Sequence, residues 1–196
     1  MATIGLRDLY AALINTDEKG VDTYKSPFRL AKAIKADINV KVAEAVLYAD
    51  DGVDEAEKEF SSFEIKLNVN KLSQEARQKL LGIKRDEKGV LISKATDSPV
   101  YVAIGARARV PGGEYFYIWY YRVKFAIPSE SYETKGDNIS FKTPEITGIG
   151  MKRHDDAWKA DYVAAEDDDI AKTWFTKVYE QDGGLTLEEP EGEKEE

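Results

Sequence analysis

Alternation of apolar and polar positions is the strongest signal along this chain. From Ile34 to Val42, the residues Ala36, Ile38, Val40 and Val42 fall on one face and Lys35, Asp37, Asn39 and Lys41 on the other, which predicts a half-buried strand. Phe63, Ile65, Leu67 and Val69 alternate in the same way with Glu64, Lys66 and Asn68, so the two segments suit an antiparallel pair. The stretch between them, Ala43 to Ser62, is too long for a tight turn. It contains Asp51-Gly52 and predicts a projecting loop.

Further along, Ser73 to Leu81 predicts a short helix: Ser73 can cap it, Glu75 sits in its first turn, Ala76 and Leu80 share a face, and Gly82 offers a left-handed stop. Val100 to Arg109, the turn Pro111-Gly112-Gly113, and Tyr115 to Ile127 predict a long hairpin. Its return strand is apolar on both sides, with Tyr115, Tyr117, Trp119 and Tyr121 on one face and Phe116 and Tyr120 on the other. Such a strand is either core on both sides or an interface awaiting a partner. Asn138 to Lys142 predicts an edge strand stopped by Pro144. Asp167, Asp168 and Asp169 then precede Ile170, Trp174, Phe175 and Val178, whose helical spacing predicts a C-terminal helix packed on the sheet. The expected fold is mainly β, of α+β type: a sandwich or barrel-like domain over residues 1–181 with a long hairpin, a short helix near 73–81 and a flanking C-terminal helix.

Composition sharpens this picture. With 196 residues, a 42% hydrophobic fraction, 7 Phe and 11 Tyr, the chain can bury one good core. The net charge of −9 is localised. Seven acids against Lys194 lie from Asp182 to Glu196, and six acids against Lys58 lie from Asp50 to Glu59, leaving the rest of the chain at about +2. Residues 182–196 carry only Leu185 and Leu187 as large apolar residues against seven acids and are expected to be disordered. Cys is absent, so a disulfide framework and thiolate metal sites are excluded. No run nears the roughly 20 apolar residues of a membrane span, and the start has no basic lead-in to an apolar segment, so neither a membrane span nor a signal peptide is expected.

Candidate chemistry is sparse. His154 beside Asp155 and Asp156 is the one cluster with a metal or acid-base look, and a single His in a polar Lys152–Asp156 stretch reads as a solvated loop. No phosphate loop, nucleophile elbow or EF-hand spacing occurs, so no catalytic constellation, metal site or cofactor site is expected. The aromatic strip with Arg107, Arg109, Arg122 and Lys124 could stack sugars or single-stranded nucleic acid, against the simpler reading of core or subunit interface with its basic residues in solvent.

An ordered series of segments carries a family resemblance: Ile4-Gly5-Leu6-Arg7-Asp8-Leu9-Tyr10, Leu47-Tyr48-Ala49-Asp50-Asp51-Gly52, Tyr101-Val102-Ala103-Ile104-Gly105, and Tyr121-Arg122-Val123-Lys124-Phe125-Ala126-Ile127-Pro128. Lys135-Gly136-Asp137 leading into Phe141-Lys142-Thr143-Pro144 completes it. In these the chain resembles the major tail proteins of siphophages, over nearly the whole body; the glutamate-rich end departs from that pattern. The resemblance implies a virion structural protein with a β-sandwich flanked by a helix, a fold similar to type VI secretion tube proteins. It implies hexameric rings stacked into a tail tube, assembly in the host cytoplasm with a length-setting tape measure protein and a tail terminator, and genome passage through the lumen without specific binding. A conduit for DNA should not grip phosphate, so a neutral or acidic lumen is expected. The alternative is a phage baseplate or carbohydrate-binding β-sandwich module using the aromatic strip.

Within this reading, Val46, Leu47, Tyr48, Asp50, Asp51, Val53 and Phe60 are the candidate subunit-interface residues of the 43–62 excursion. Apolar side chains flanked by acids suit a surface that meets basic residues on a partner. Tyr115, Tyr117, Trp119 and Tyr121 are candidates for interface or core, and Ile170, Trp174, Phe175 and Val178 for the core under the C-terminal helix. The composition of the tail generates a first prediction: truncation after Gln181 leaves the melting temperature nearly unchanged, checked by thermal circular dichroism, and a large drop would show that the tail docks.

Overall fold

The computed structural model describes residues 2–49, 52–130, 134 and 143–181. In chain order the elements are β1 (Ile4–Thr16), β2 (Asp22–Tyr24), β3 (Phe28–Ala31), β4 (Ala33–Ala49), β5 (Gly52–Val69), α1 (Gln74–Leu81), β6 (Lys84–Arg85) and β7 (Leu91–Ile92). They continue with β8 (Tyr101–Arg109), β9 (Tyr115–Phe125), β10 (Glu145–Met151), β11 (Lys159–Ala164) and α2 (Asp169–Thr173). The predicted strand at Asn138 to Lys142 and the tail 182–196 lie outside the described residues.

The protein is mainly β. Nine strands form one antiparallel sheet in the order β2-β1-β8-β9-β10-β5-β4, with β3 on β1 and β11 on β9. Strand β9 uses its second edge twice: Arg122 to Phe125 pair with β10, and Tyr115 to Tyr120 pair with β11. The sheet also meets itself. Strand β3 pairs with β1 and runs into β4 across Lys32, whose N–H donates to Asn70 Oδ1 at 3.1 Å and whose carbonyl accepts from Asn70 N–H at 3.0 Å. Since β4 pairs with β5, the two ends of the strand order join at Lys32 and the sheet curls into a barrel-like closure.

Inside the barrel lie Leu9, Leu30, Phe63, Ile65, Leu67, Val102, Ile104, Val123, Phe125 and Ile146, all essentially inaccessible. Helix α1 closes one end with Ala76, Leu80 and Leu81. Its caps match the sequence: Ser73 Oγ accepts from Ala76 N–H at 3.1 Å, and Gly82 adopts φ 68° where a Cβ would sit 2.5 Å from the Ser98 carbonyl oxygen. Phe63 fills the barrel so tightly that a Cβ on Gly150 would overlap its ring.

Both faces of β9 are covered. Phe116, Ile118 and Tyr120 face the barrel; a register shift opposite Val102 and Ile104 then moves the inward positions to Val123 and Phe125. On the outer face Tyr115, Tyr117, Trp119 and Tyr121 are buried under the C-terminal segment, and a Cβ on Gly105 would come within 2.7 Å of the Trp119 indole. Trp119 Nε1 donates to the Trp174 carbonyl at 3.0 Å and the Tyr121 hydroxyl donates to the Tyr179 carbonyl at 2.9 Å.

Two expectations change. Residues Ala43 to Ser62 do not form a loop: they continue β4 and β5 as a two-stranded ribbon, paired from Ala33↔Val69 to Ala49↔Gly52. Lys41 to Val46 and Ala56 to Glu59 are exposed on both faces, so these strands carry charges on either side and mimic a loop in composition. The C-terminal helix is also shorter than its apolar spacing predicts, ending at Thr173 after the Asp168 carboxylate caps Ile170 and Ala171 N–H at 2.9 and 3.1 Å. The Trp174 carbonyl is taken by Trp119, so the chain turns away with Trp174 and Val178 buried, Phe175 half-buried and Ile170 41% exposed. Ile170 therefore stands outside the core assigned to it.

Charged side chains on β8 and β9 are more enclosed than the solvated role read from alternation. Arg107, its side chain 16% exposed, donates to Asp8 at 2.6 Å and Glu166 at 2.8 Å and lies 4.6 Å over the Tyr115 ring. Arg122 donates to both oxygens of the inaccessible Asp22, at 2.9 and 3.0 Å, while the Thr16 hydroxyl donates to the same carboxylate at 2.6 Å. Breaking a buried pair strands the surviving charge. Asp22→Ala is therefore expected to destabilise the subunit by about 3 kcal/mol or more in urea unfolding. Trp174→Ala should cost about 3–5 kcal/mol by the same measurement, because it empties the site between Tyr162 and Tyr179, with ring centroids at 6.2 and 5.3 Å. Unfolding like the parent would place Trp174 in an interface instead of the core.

Candidate assembly surfaces

The ribbon is the part of the sheet that the barrel does not absorb. Strand β5 pairs with β10 only from Phe63 to Asn68, and the portion before Phe63 has β4 as its sole strand neighbour among the described residues. A two-stranded hairpin alone in water is marginal, since neither face nor edge is protected. Its two faces differ. Directly paired residues share a face, so Val42↔Phe60, Glu44↔Lys58 and Val46↔Ala56 lie on one side, with the Glu44–Lys58 ion pair at 3.1 Å neutralising it. The other side carries Ala43↔Glu59 and Ala45↔Glu57, an exposed carboxylate face.

The ribbon is anchored where it leaves the barrel. Phe60 is half-buried and stacks on Trp158 at 5.0 Å, and Trp158 also meets Phe63 at 5.4 Å. Beyond that point Val42 is 54% and Val46 39% exposed. Leu47, Tyr48 and Val53 lie in the strands, with Tyr48 opposite Val53, whereas Asp50 and Asp51 lie outside the described residues. Of the candidate interface residues, Phe60 is thus used within its own subunit and Val46 is free to meet another.

Beside this anchor, the 152–158 turn joins β10 to β11 and holds more structure than its polar sequence suggests. His154 is exposed, but Arg153 is buried, donating to Asp155, to Glu180 at 2.7 Å and to the Tyr24 hydroxyl at 3.5 Å, and lying 4.5 Å over the Tyr121 ring. Burial works against the Arg153 charge, yet hydrogen bonds to Asp155 and Tyr24 outweigh it and hold its pKa above the ordinary value. The hydrogen bond from Arg153 in turn holds the Asp155 carboxyl below the usual range. Burial pushes the Tyr121 phenol up to about 12. Arg153 and Trp158 were not legible as site-shaping residues, because both sit in or beside a stretch whose composition is that of a solvated loop.

The aromatic strip offers no open platform. Tyr117 and Trp119 have 1% and 0% exposure, and Trp174 and Phe175 lie on them at ring distances of 6.0 to 6.2 Å. A sugar or base could reach them only by displacing the C-terminal segment. These side chains are core.

At the far end of β5 lies a second exposed surface of opposite character. The β6–β7 hairpin pairs Lys84 with Ile92 and Arg85 with Leu91, and leaves Val90 and Ile92 54% and 48% exposed. From Lys71 to Asp97 seven basic residues stand against four acidic ones. Lys79 is paired with Glu75 and Arg77 with Glu130, at 2.7 and 3.0 Å. Among the described residues no carboxylate lies within ion-pair reach of the exposed Lys84, Lys88 or Lys94.

A search of the curated proteins gives no match. The family model described as phage tail tube protein matches residues 1–177, which is nearly the whole body of the chain and includes the barrel, the ribbon and the C-terminal segment. With a β-rich closed sheet and a ribbon that its own barrel leaves unpaired, the chain belongs to the phage tail tube protein family.

Proposed function

We propose that this protein forms hexameric rings that stack into the tube of a long, non-contractile phage tail, through which the genome passes. Membership of the tail tube family supports a structural role in the virion tail. The ribbon is the observation that carries the assembly reading. The exposed residues Lys41 to Val46 and Ala56 to Glu59 contribute no side chain to the barrel core, yet the strands keep their pairing out to Ala49↔Gly52 and present the exposed Val42 and Val46. A monomer gains little from such an element, whereas a polymer covers its faces with neighbours. The ribbon is thus the assembly arm, with Val42 and Val46 in the interface and the glutamate face directed at basic groups of another copy. Assembly takes place in the host cytoplasm around a tape measure protein and ends at a terminator. DNA passes without specific binding, in keeping with the net charge of −9.

The test shortens the arm outside its anchor. Replacing residues 44–58 by a short Gly-Ser turn keeps Val42, Phe60 and the Phe60–Trp158 stack. The expected product is a folded, soluble subunit, with circular dichroism and melting temperature close to the parent, that forms no tubes in negative-stain electron microscopy. Normal tubes from the shortened chain would sink the proposal.

A further inference from the structure

The arm and the basic β6–β7 surface sit at opposite ends of one strand. Strand β5 carries Glu57 and Glu59 12 and 10 residues before its end at Val69, and α1 follows that end, so at roughly 3.3 Å per residue the arm's carboxylates stand about 33–40 Å from the end of the strand where the far surface begins. They are complementary in two respects. The arm carries the exposed Glu57 and Glu59 on one face and the exposed Val42 and Val46 on the other; the far end presents Lys84, Lys88 and Lys94 beside the exposed Val90 and Ile92. Strand β5 is rigid within the barrel from Phe63 to Val69, so the two surfaces cannot fold back onto each other in one copy. Two different, complementary patches at opposite ends of a rigid body make a head-to-tail contact, which propagates as a filament and does not close as a dimer.

We infer that the receiving surface for the arm is the β6–β7 hairpin and the adjoining end of α1 on a copy in the next ring, held by its lysines against the arm's glutamates. This assignment rests on the tube reading above and names its axial partner surface. The occupant is a second copy of this chain because the charge signs, the exposed apolar residues and the axial separation are all supplied by one sequence. Since the lysines and the described glutamates of the face are solvent-exposed, the contact is screened by salt and stacking weakens as ionic strength rises.

A reciprocal charge exchange tests it with the full chain. One variant carries Lys84→Glu, Lys88→Glu and Lys94→Glu, and the other Glu57→Lys and Glu59→Lys. All five positions are exposed and lie outside the barrel core, so both variants should melt like the parent. Each alone has like charges on both ends and is expected to form no tubes, whereas an equal mixture restores opposite charges at every contact and polymerises. Sedimentation and negative-stain microscopy read the outcome. Tubes from either variant alone at parental yield, or a mixture that stays unpolymerised, would overturn the assignment while leaving the tube reading in place. A parent that forms neither rings nor tubes at any concentration would overturn the tube reading, and this inference with it.

Discussion

Strand β9 carries large apolar side chains on both faces, and covering both is the constraint on which the rest of the structure depends. One face is met by the closed barrel, where Phe63, Val102 and Ile104 pack against its inward positions. The other needs a separate cover. The C-terminal segment supplies it with Trp174, Phe175 and Val178, and two side-chain hydrogen bonds from β9 to the carbonyls of Trp174 and Tyr179 fix that cover in register. Burying an aromatic side chain contributes about 2 kcal/mol or more, but the indole and phenol donors are costly if left unpaired. The cover therefore satisfies polarity as well as area, and the helix gives way to an irregular segment so that its carbonyls can be reached.

Closure has a second consequence. Strands β3 and β4, joined at Lys32, seal the sheet against β1, so the barrel region leaves few open edges. The exception is the stretch where β5 runs past the end of β10. There the chain turns at Arg153 to Trp158 and β11 resumes along β9, while Phe60 stacks on Trp158 and the ribbon departs. The buried Arg153 ties this turn to the C-terminal segment through Glu180. The base of the ribbon and the cover of β9 are thus parts of one ionic and aromatic cluster, which gives the projecting strands a firm footing.

The sequence was legible where one face of an element is buried and one is wet. Period-2 alternation located the barrel portions of β4 and β5, the β8–β9 hairpin and both of its faces, and the caps Ser73 and Gly82 located α1. It was misleading where that asymmetry is missing. A ribbon exposed on both sides shows charges at successive positions, so residues 43–62 resembled a loop. Tertiary hydrogen bonds are invisible to periodicity, so the end of α2 at Thr173 and the exposure of Ile170 could not be read from spacing. Nor could local polarity show that Arg107, Arg122 and Arg153 are enclosed, because their partners Asp8, Asp22 and Glu180 lie 99, 100 and 27 residues from them in the chain.

The distribution of charge matters more than its total. Acidity is concentrated in the 50–59 segment and the last residues, while excess basic residues gather between Lys71 and Asp97. In a flexible chain such segments would neutralise one another within a single molecule. Here Glu57 and Glu59 stand on the arm about 33–40 Å from the end of β5 that leads into the basic segment, several times the Debye length of about 8 Å at physiological salt. Attraction between these two groups is therefore weak within one copy and favours contact between copies. A rigid barrel that holds unlike surfaces apart converts charge on one sequence into a directional preference for its neighbours, which is the property the proposed stack requires.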